Sequence, residues 1–116
     1  MLVERKDHFE EDGSIGYIDS IFDSSNILLT IFFPKLKRLY IGFNRGGVYR
    51  YSNFSQEDYD KFELAESQGK HFHKEIKNNS NFIFNKEFNL LPHEIEDAKK
   101  KIIEYKKNLN INETNN

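Results

Sequence analysis

Cysteine is absent from this chain of 116 residues, which excludes a disulfide framework, a thiolate metal site and a cysteine nucleophile, and fits a reducing compartment. No stretch approaches the roughly 18 apolar residues that a membrane helix needs. The opening Met1-Leu-Val-Glu-Arg-Lys-Asp lacks the basic-then-apolar order of a signal peptide. These absences lead to the expectation of a cytoplasmic protein without membrane contact, in the host cytoplasm if the gene is viral. The length leaves no room for separate cofactor and substrate domains. Apolar residues are few, 37% against 31% charged, yet eleven Phe and six Tyr bury a large area each and allow a small core.

Acidic residues are also missing where it matters. Residues 1–34 carry two basic and seven acidic side chains, whereas residues 35–54 carry Lys35, Lys37, Arg38, Arg45 and Arg50 and no acid. A local basic stretch within a chain of net charge −2 points to a focused anion site rather than a surface that coats nucleic acid. The alternative is a set of solvated strand charges balanced by the acidic N-terminus.

No internal repeat is visible, and the chain reads as an N-terminal arm (1–23), a β-rich centre and a helical C-terminal half. In the arm, Asp12-Gly-Ser marks a turn and a short strand is expected near 15–22. Ile27-Leu-Leu-Thr-Ile-Phe-Phe33, closed by Pro34, reads as a strand. Leu39, Ile41 and Phe43 alternate onto one face of a second, and Val48-Tyr-Arg-Tyr51 follows after Asn44-Arg-Gly-Gly47, a turn that predicts an antiparallel pair. Ser55-Gln-Glu-Asp58 has the capping-box pattern and predicts a helix over about 56–66. A short second helix is expected over 70–77, with Phe72 and Ile76 on one side. Phe82, Ile83, Phe84 and Phe88 read as linker aromatics that must find cover against the domain. Pro92 then opens a last helix with acids first and lysines later, the polarity its dipole favours. Five Asn among the last nine residues predict a frayed, disordered tail over 111–116.

With these elements placed, the middle of the chain resembles the KTSC domain, a family of roughly sixty residues named for the C-terminal end of some lysyl-tRNA synthetases. The resemblance runs from Ser24 to about Ile76 and is carried by Ser24-Ser-Asn-Ile27, Leu39-Tyr-Ile-Gly-Phe43, Gly46-Gly-Val-Tyr-Arg-Tyr51 with the family's Tyr-x-Tyr, and Ala65-Glu-Ser-Gln-Gly-Lys-His-Phe72. Phe32-Phe33, Phe54-Ser55 and His73 stand where the family usually has other residues. The resemblance implies a compact KTSC-like unit over 24–77, with a C-terminal helical extension over 78–110 outside it. Among activities it implies only RNA binding, as a suggestion.

Tyr49 and Tyr51 lie two apart on a strand and so share a face, with Arg50 on the other. Two such rings make a platform on which bases stack; the alternative is a core face with hydroxyls bonded at its edge. Ser67-Gln-Gly-Lys70 stands at the start of the second helix, where free backbone N–H groups beside Lys70 and Lys74 suit a phosphate. The alternative there is a plain N-cap, with Gly69 in a left-handed turn. The full P-loop pattern is absent, so nucleotide hydrolysis is not implied. His71 and His73 diverge by about 200° around a helix axis, unlike the pair of a zinc helix, so no metal or cofactor is expected. No Ser sits on a strand-to-helix elbow, and no carboxylate pair is evident.

The sequence therefore predicts an α+β fold, a small, mostly antiparallel sheet with two short helices packed on it and a third, C-terminal helix. It predicts non-enzymatic binding of a phosphate-bearing nucleotide ligand, single-stranded RNA or a small nucleotide. The ligand set is Arg45, Tyr49, Arg50, Tyr51, Ser67, Gly69, Lys70 and Lys74. Enrichment in Asn, Lys, Ile and Phe fits a low-GC viral or bacterial gene, and such a binder would sequester a nucleotide signal as a viral anti-defence protein. The competing class is a protein-interaction module, a homo-oligomer or partner inhibitor working through the C-terminal extension from Phe82 to Leu91.

Overall fold

The structure, a computed structural model, describes the backbone of residues 1–114 and side chains through Asn110. Of the tail expected to be disordered over 111–116, residues 111–114 continue the backbone of the last helix, and 115–116 lie outside the described residues. Six strands run in chain order across one antiparallel sheet: β1 (Leu2–Phe9), β2 (Ile15–Phe22), β3 (Ile27–Phe33), β4 (Arg38–Phe43), β5 (Gly47–Ser52) and β6 (Ile83–Asn89). Between β5 and β6 come helix α1 (Gln56–Leu64) and the short α2 (Gln68–His71), which continues as a π-helical turn over Phe72–Ile76. Helix α3 (Pro92–Thr114) follows β6. The α+β architecture expected from the sequence is present.

Strands β3, β4 and β5 lie where alternation placed them, and the β4–β5 turn closes with Gly46 at φ 105°, a conformation that glycine adopts without steric cost. The α1 cap is a full capping box: the Ser55 hydroxyl accepts from the Asp58 N–H, and the Asp58 carboxylate accepts from the Ser55 N–H. Two stretches differ from expectation. The N-terminal arm is a hairpin of two full strands, since β1 pairs along the length of β2; its Glu4-Arg5-Lys6-Asp7 has no apolar alternation to announce it. The linker aromatics are strand β6, which pairs with β5. Phe82 does find cover against Phe54, at 4.9 Å between ring centres. Ile83, Phe84 and Phe88 stay exposed, because an edge strand has a neighbour on one side only.

Pairing sets two faces. Ile18, Ser20, Phe32, Thr30, Leu39, Ile41, Tyr49 and Tyr51 lie opposite one another across the ladders and point toward α1 and α2. Here Phe22, Phe32, Phe54, Tyr59 and Phe62 are fully buried with Ile18, Ile27, Leu39 and Ile41. Phe32 and Tyr59 stack at 4.6 Å, and the Tyr59 hydroxyl meets Ser20 Oγ at 2.9 Å. Burial pushes the Tyr59 pKa up to about 12. Helix α3 covers the other face: Ile95, Ala98 and Ile102, three and four apart on one stripe, pack on Ile21, Leu28 and Leu29. Lys101–Glu4 at 3.0 Å and Lys106–Asp23 at 3.3 Å tie that helix to the hairpin.

Candidate ligand-binding cleft

A cleft of about 740 Å³ opens beside the end of the α2 turn, on the α1/α2 face of β4, β5 and β6. That volume is in the range of small-molecule sites. Its walls are aromatic. Phe43 and Tyr49 meet edge to face at 5.6 Å, Tyr51 and Phe72 likewise at 5.8 Å, and Phe84 lies nearly parallel to Tyr51 at 5.9 Å. The period-2 geometry of β5 puts both tyrosines on this face, and the register sets Phe84 opposite Tyr51 and Lys86 opposite Tyr49. Strand β6 thereby completes the wall.

Tyr51 combines the two alternatives raised by the sequence. Its ring is only 6% exposed and belongs to the core cluster. It nevertheless lines the cleft, and its hydroxyl forms no side-chain hydrogen bond among the described residues. Burial, with the neighbouring Tyr49 adding to it, pushes the phenol up to about 12, so it stays protonated and able to donate.

Around these rings stand Arg45, Lys77 and Lys86, together with His73 and the amides of Asn26, Asn78, Asn79 and Asn89. The lining contains no Asp or Glu. None of the three cations forms an ion pair among the described residues, although Arg5, Lys35, Arg50, Lys101 and Lys106 all have carboxylate partners.

Of the residues singled out in the sequence, Arg45, Tyr49 and Tyr51 meet in this cleft. Arg50 does not: it projects from the other face, with its Nε 3.2 Å from the Glu87 carboxylate in an ion pair without hydrogen-bond alignment. Ser67, Gly69, Lys70 and Lys74 line a shallower hollow next door, of about 810 Å³, with Ser25, Asn26 and His73. Ser67 caps its own helix, its hydroxyl accepting from the Lys70 N–H at 3.2 Å, and Gly69 lies inside α2 rather than in a left-handed turn, since the positive-φ glycines are Gly13 and Gly46. Between them Gln68 is fully buried: its Nε2 donates to the carbonyls of Ala65, Phe62 and Glu63, and its Oε1 accepts from the Met1 amine. His71 faces a third hollow with Asp58 and Glu75, so the two histidines serve different surfaces. Among the described residues no three His, Asp or Glu side chains gather as a metal site, and no helix is long and apolar enough to cross a membrane.

Lys77 and Lys86 were not found from the sequence, since they come together only when β6 returns to pair with β5. The Tyr-x-Tyr strand, the glycine turn and the helix carrying Phe72 all fall within residues 23–82, which match the sequence profile of the KTSC domain. The chain belongs to the KTSC domain family. A crystal structure of a KTSC domain protein from Yersinia pestis superposes with a TM-score of 0.57 at 28% identity, covering 60% of this chain and 96% of that one. No match is found among curated proteins. The KTSC domain supplies Phe43, Arg45, Tyr49, Tyr51 and Phe72, whereas Phe84 and Lys86 come from β6, beyond the matched residues.

Proposed function

We propose that this KTSC domain protein binds a phosphate-bearing nucleotide ligand, without catalysis, in the aromatic cleft. One observation carries the reading: the lining holds three Lys or Arg side chains and no carboxylate, in a chain whose net charge is −2. Tyr49 and Phe84, backed by the buried Tyr51, offer faces and edges for a base, a contact worth about 1–3 kcal/mol per stacked base. Arg45, Lys77 and Lys86 neutralise phosphate, the guanidinium being able to grip it with two hydrogen bonds. The Tyr51 hydroxyl and the asparagine amides present donors and acceptors to the base edge. Binding without turnover makes sequestration of a nucleotide signal the consequence for the cell, the form a viral anti-defence role would take.

Calorimetry against mononucleotides, cyclic dinucleotides and a short RNA tests this. Affinity for at least one should fall as salt rises from about 50 to 500 mM, because ions compete for the phosphate contacts. Arg45→Ala and Lys86→Ala should weaken binding severalfold while Arg50→Ala, on the other face, leaves it unchanged. No heat with any member of the panel overturns the reading.

The interaction-module alternative rests on a different observation, the exposed Ile83, Phe84, Phe88 and Leu91 along the open β6 edge. An unpaired apolar edge is a template for another strand. A concentration-dependent mass in sedimentation, insensitive to salt and abolished by Phe88→Lys, would favour it.

A further inference from the structure

The aromatic cleft and the Ser67–Lys74 hollow are adjoining spaces, since Asn26 and His73 line both. Their linings differ in kind. The Phe, Tyr and Ile side chains all belong to the cleft, while the hollow has none and offers Ser25, Ser67, Lys70 and Lys74 instead. What they have in common is the absence of Asp and Glu. Across the two, Arg45, Lys70, Lys74, Lys77 and Lys86 are exposed and none forms an ion pair among the described residues. A mononucleotide whose base enters the cleft already meets Arg45, Lys77 and Lys86 there. Lys70 and Lys74 would then face solvent with nothing to neutralise.

The helix start does not explain those lysines. The Lys70 N–H is taken by Ser67 Oγ and the His71 N–H by the Ser67 carbonyl at 3.0 Å, so neither of these two backbone donors is open to an anion, and the charge in the hollow comes from the Lys70 and Lys74 ammonium groups. The aromatic rings of the cleft, Tyr49 and the exposed Phe84 foremost, mark it as the end where a base is held.

Resting on the nucleotide reading, we infer that the two spaces form one groove whose ligand is a single nucleic-acid strand of two or more nucleotides. A base lies in the aromatic cleft, the chain passes Asn26 and His73, and a neighbouring phosphate sits between Lys70 and Lys74. Sequence-tolerant stacking joined to backbone neutralisation is the general chemistry of single-strand binding. The ribose and deoxyribose forms share it.

The test compares the four ribonucleoside 5′-monophosphates, a cyclic dinucleotide, and mixed-sequence RNA and DNA strands of three and six nucleotides. Each is titrated into the full chain and into the Lys70→Ala/Lys74→Ala double variant. Both lysines are exposed, so the variant should keep the fold. The trinucleotide should bind about tenfold tighter than any mononucleotide, and its log–log salt slope should be steeper by about 0.7 per added phosphate contact. The double variant should lose that gain and about 0.7 of the slope, the share of the one phosphate between the two lysines, while mononucleotide binding stays as it was. Tight binding by either sugar supports the groove. Equal affinity for one and three nucleotides, or a cyclic dinucleotide that outcompetes the hexamers and ignores the double variant, overturns the strand and leaves the nucleotide cleft standing. Failure of every ligand to bind removes the cleft reading itself.

Discussion

The two faces of the sheet are built on different principles. Under α1 and α2, twelve described residues form one buried cluster, seven of them aromatic. Under α3 the buried cluster is Ile21, Leu28 and Ala98, and the periphery is held by exposed ion pairs of lysines with Glu4 and Asp23. Large interlocking rings fix a unique geometry, whereas a narrow aliphatic stripe with solvated charges gives an attachment of low stability. The cleft opens on the aromatic face, whose rigidity can hold an array of rings in place. For the other face this contrast predicts a cover that opens without disturbing that array.

The comparison breaks first at the aromatic face. Phe32→Ala removes a fully buried ring stacked on Tyr59, and its cost should be about 3–5 kcal/mol in denaturant unfolding, enough to unfold a marginal domain. Ala98→Asp buries a carboxylate in the α3 contact, where the neighbours are aliphatic. The expected response is undocking of α3 at a cost of about 1–3 kcal/mol. Hydrogen exchange should rise along α3 and stay slow in β3 and β4. Global unfolding by Ala98→Asp would show that the two faces are one cooperative unit.

A smaller effect comes through pH. Burial beside Phe62 lowers the His71 pKa below 6.5, so the folded protein favours the neutral ring. Stability from this group is complete above pH 6.5 and is lost as pH falls below it, where the unfolded chain takes up the proton first. Melting temperature should therefore decline from pH 7 to pH 5, and His71→Gln should flatten part of the decline. Smallest of all, Phe88→Ala on the exposed β6 should change monomer stability by less than about 0.5 kcal/mol. A larger loss in sedimentation-checked monomer would mean that the edge packs more tightly than its exposure indicates.

Where local chemistry decides structure, the sequence was legible. The alternation of β3 and β4, the glycine turn and the Ser55 box each state their outcome within a few residues, and the shared face of Tyr49 and Tyr51 follows from strand period alone. What escaped was set by distant partners. Strand β1 is a charged sequence recruited by pairing with β2. Strand β6 has no period of its own and is ordered by β5. Arg50 looked like a phosphate ligand until Glu87, far along the chain, came to sit beside it. The same return of β6 brought Lys86 to the cleft, whereas Arg50 lay off that face by strand period alone.

The chain-order arrangement of the strands carries a kinetic consequence. Every strand through β5 pairs with the one just before it, and contacts between near neighbours in sequence close cheaply. Only the β5–β6 pairing must wait for two helices to be laid down between its partners. Folding should therefore be fast for a sheet protein, with the first five strands forming ahead of the sixth. The cleft, which needs Phe84 and Lys86, would be the last part of the molecule to become competent.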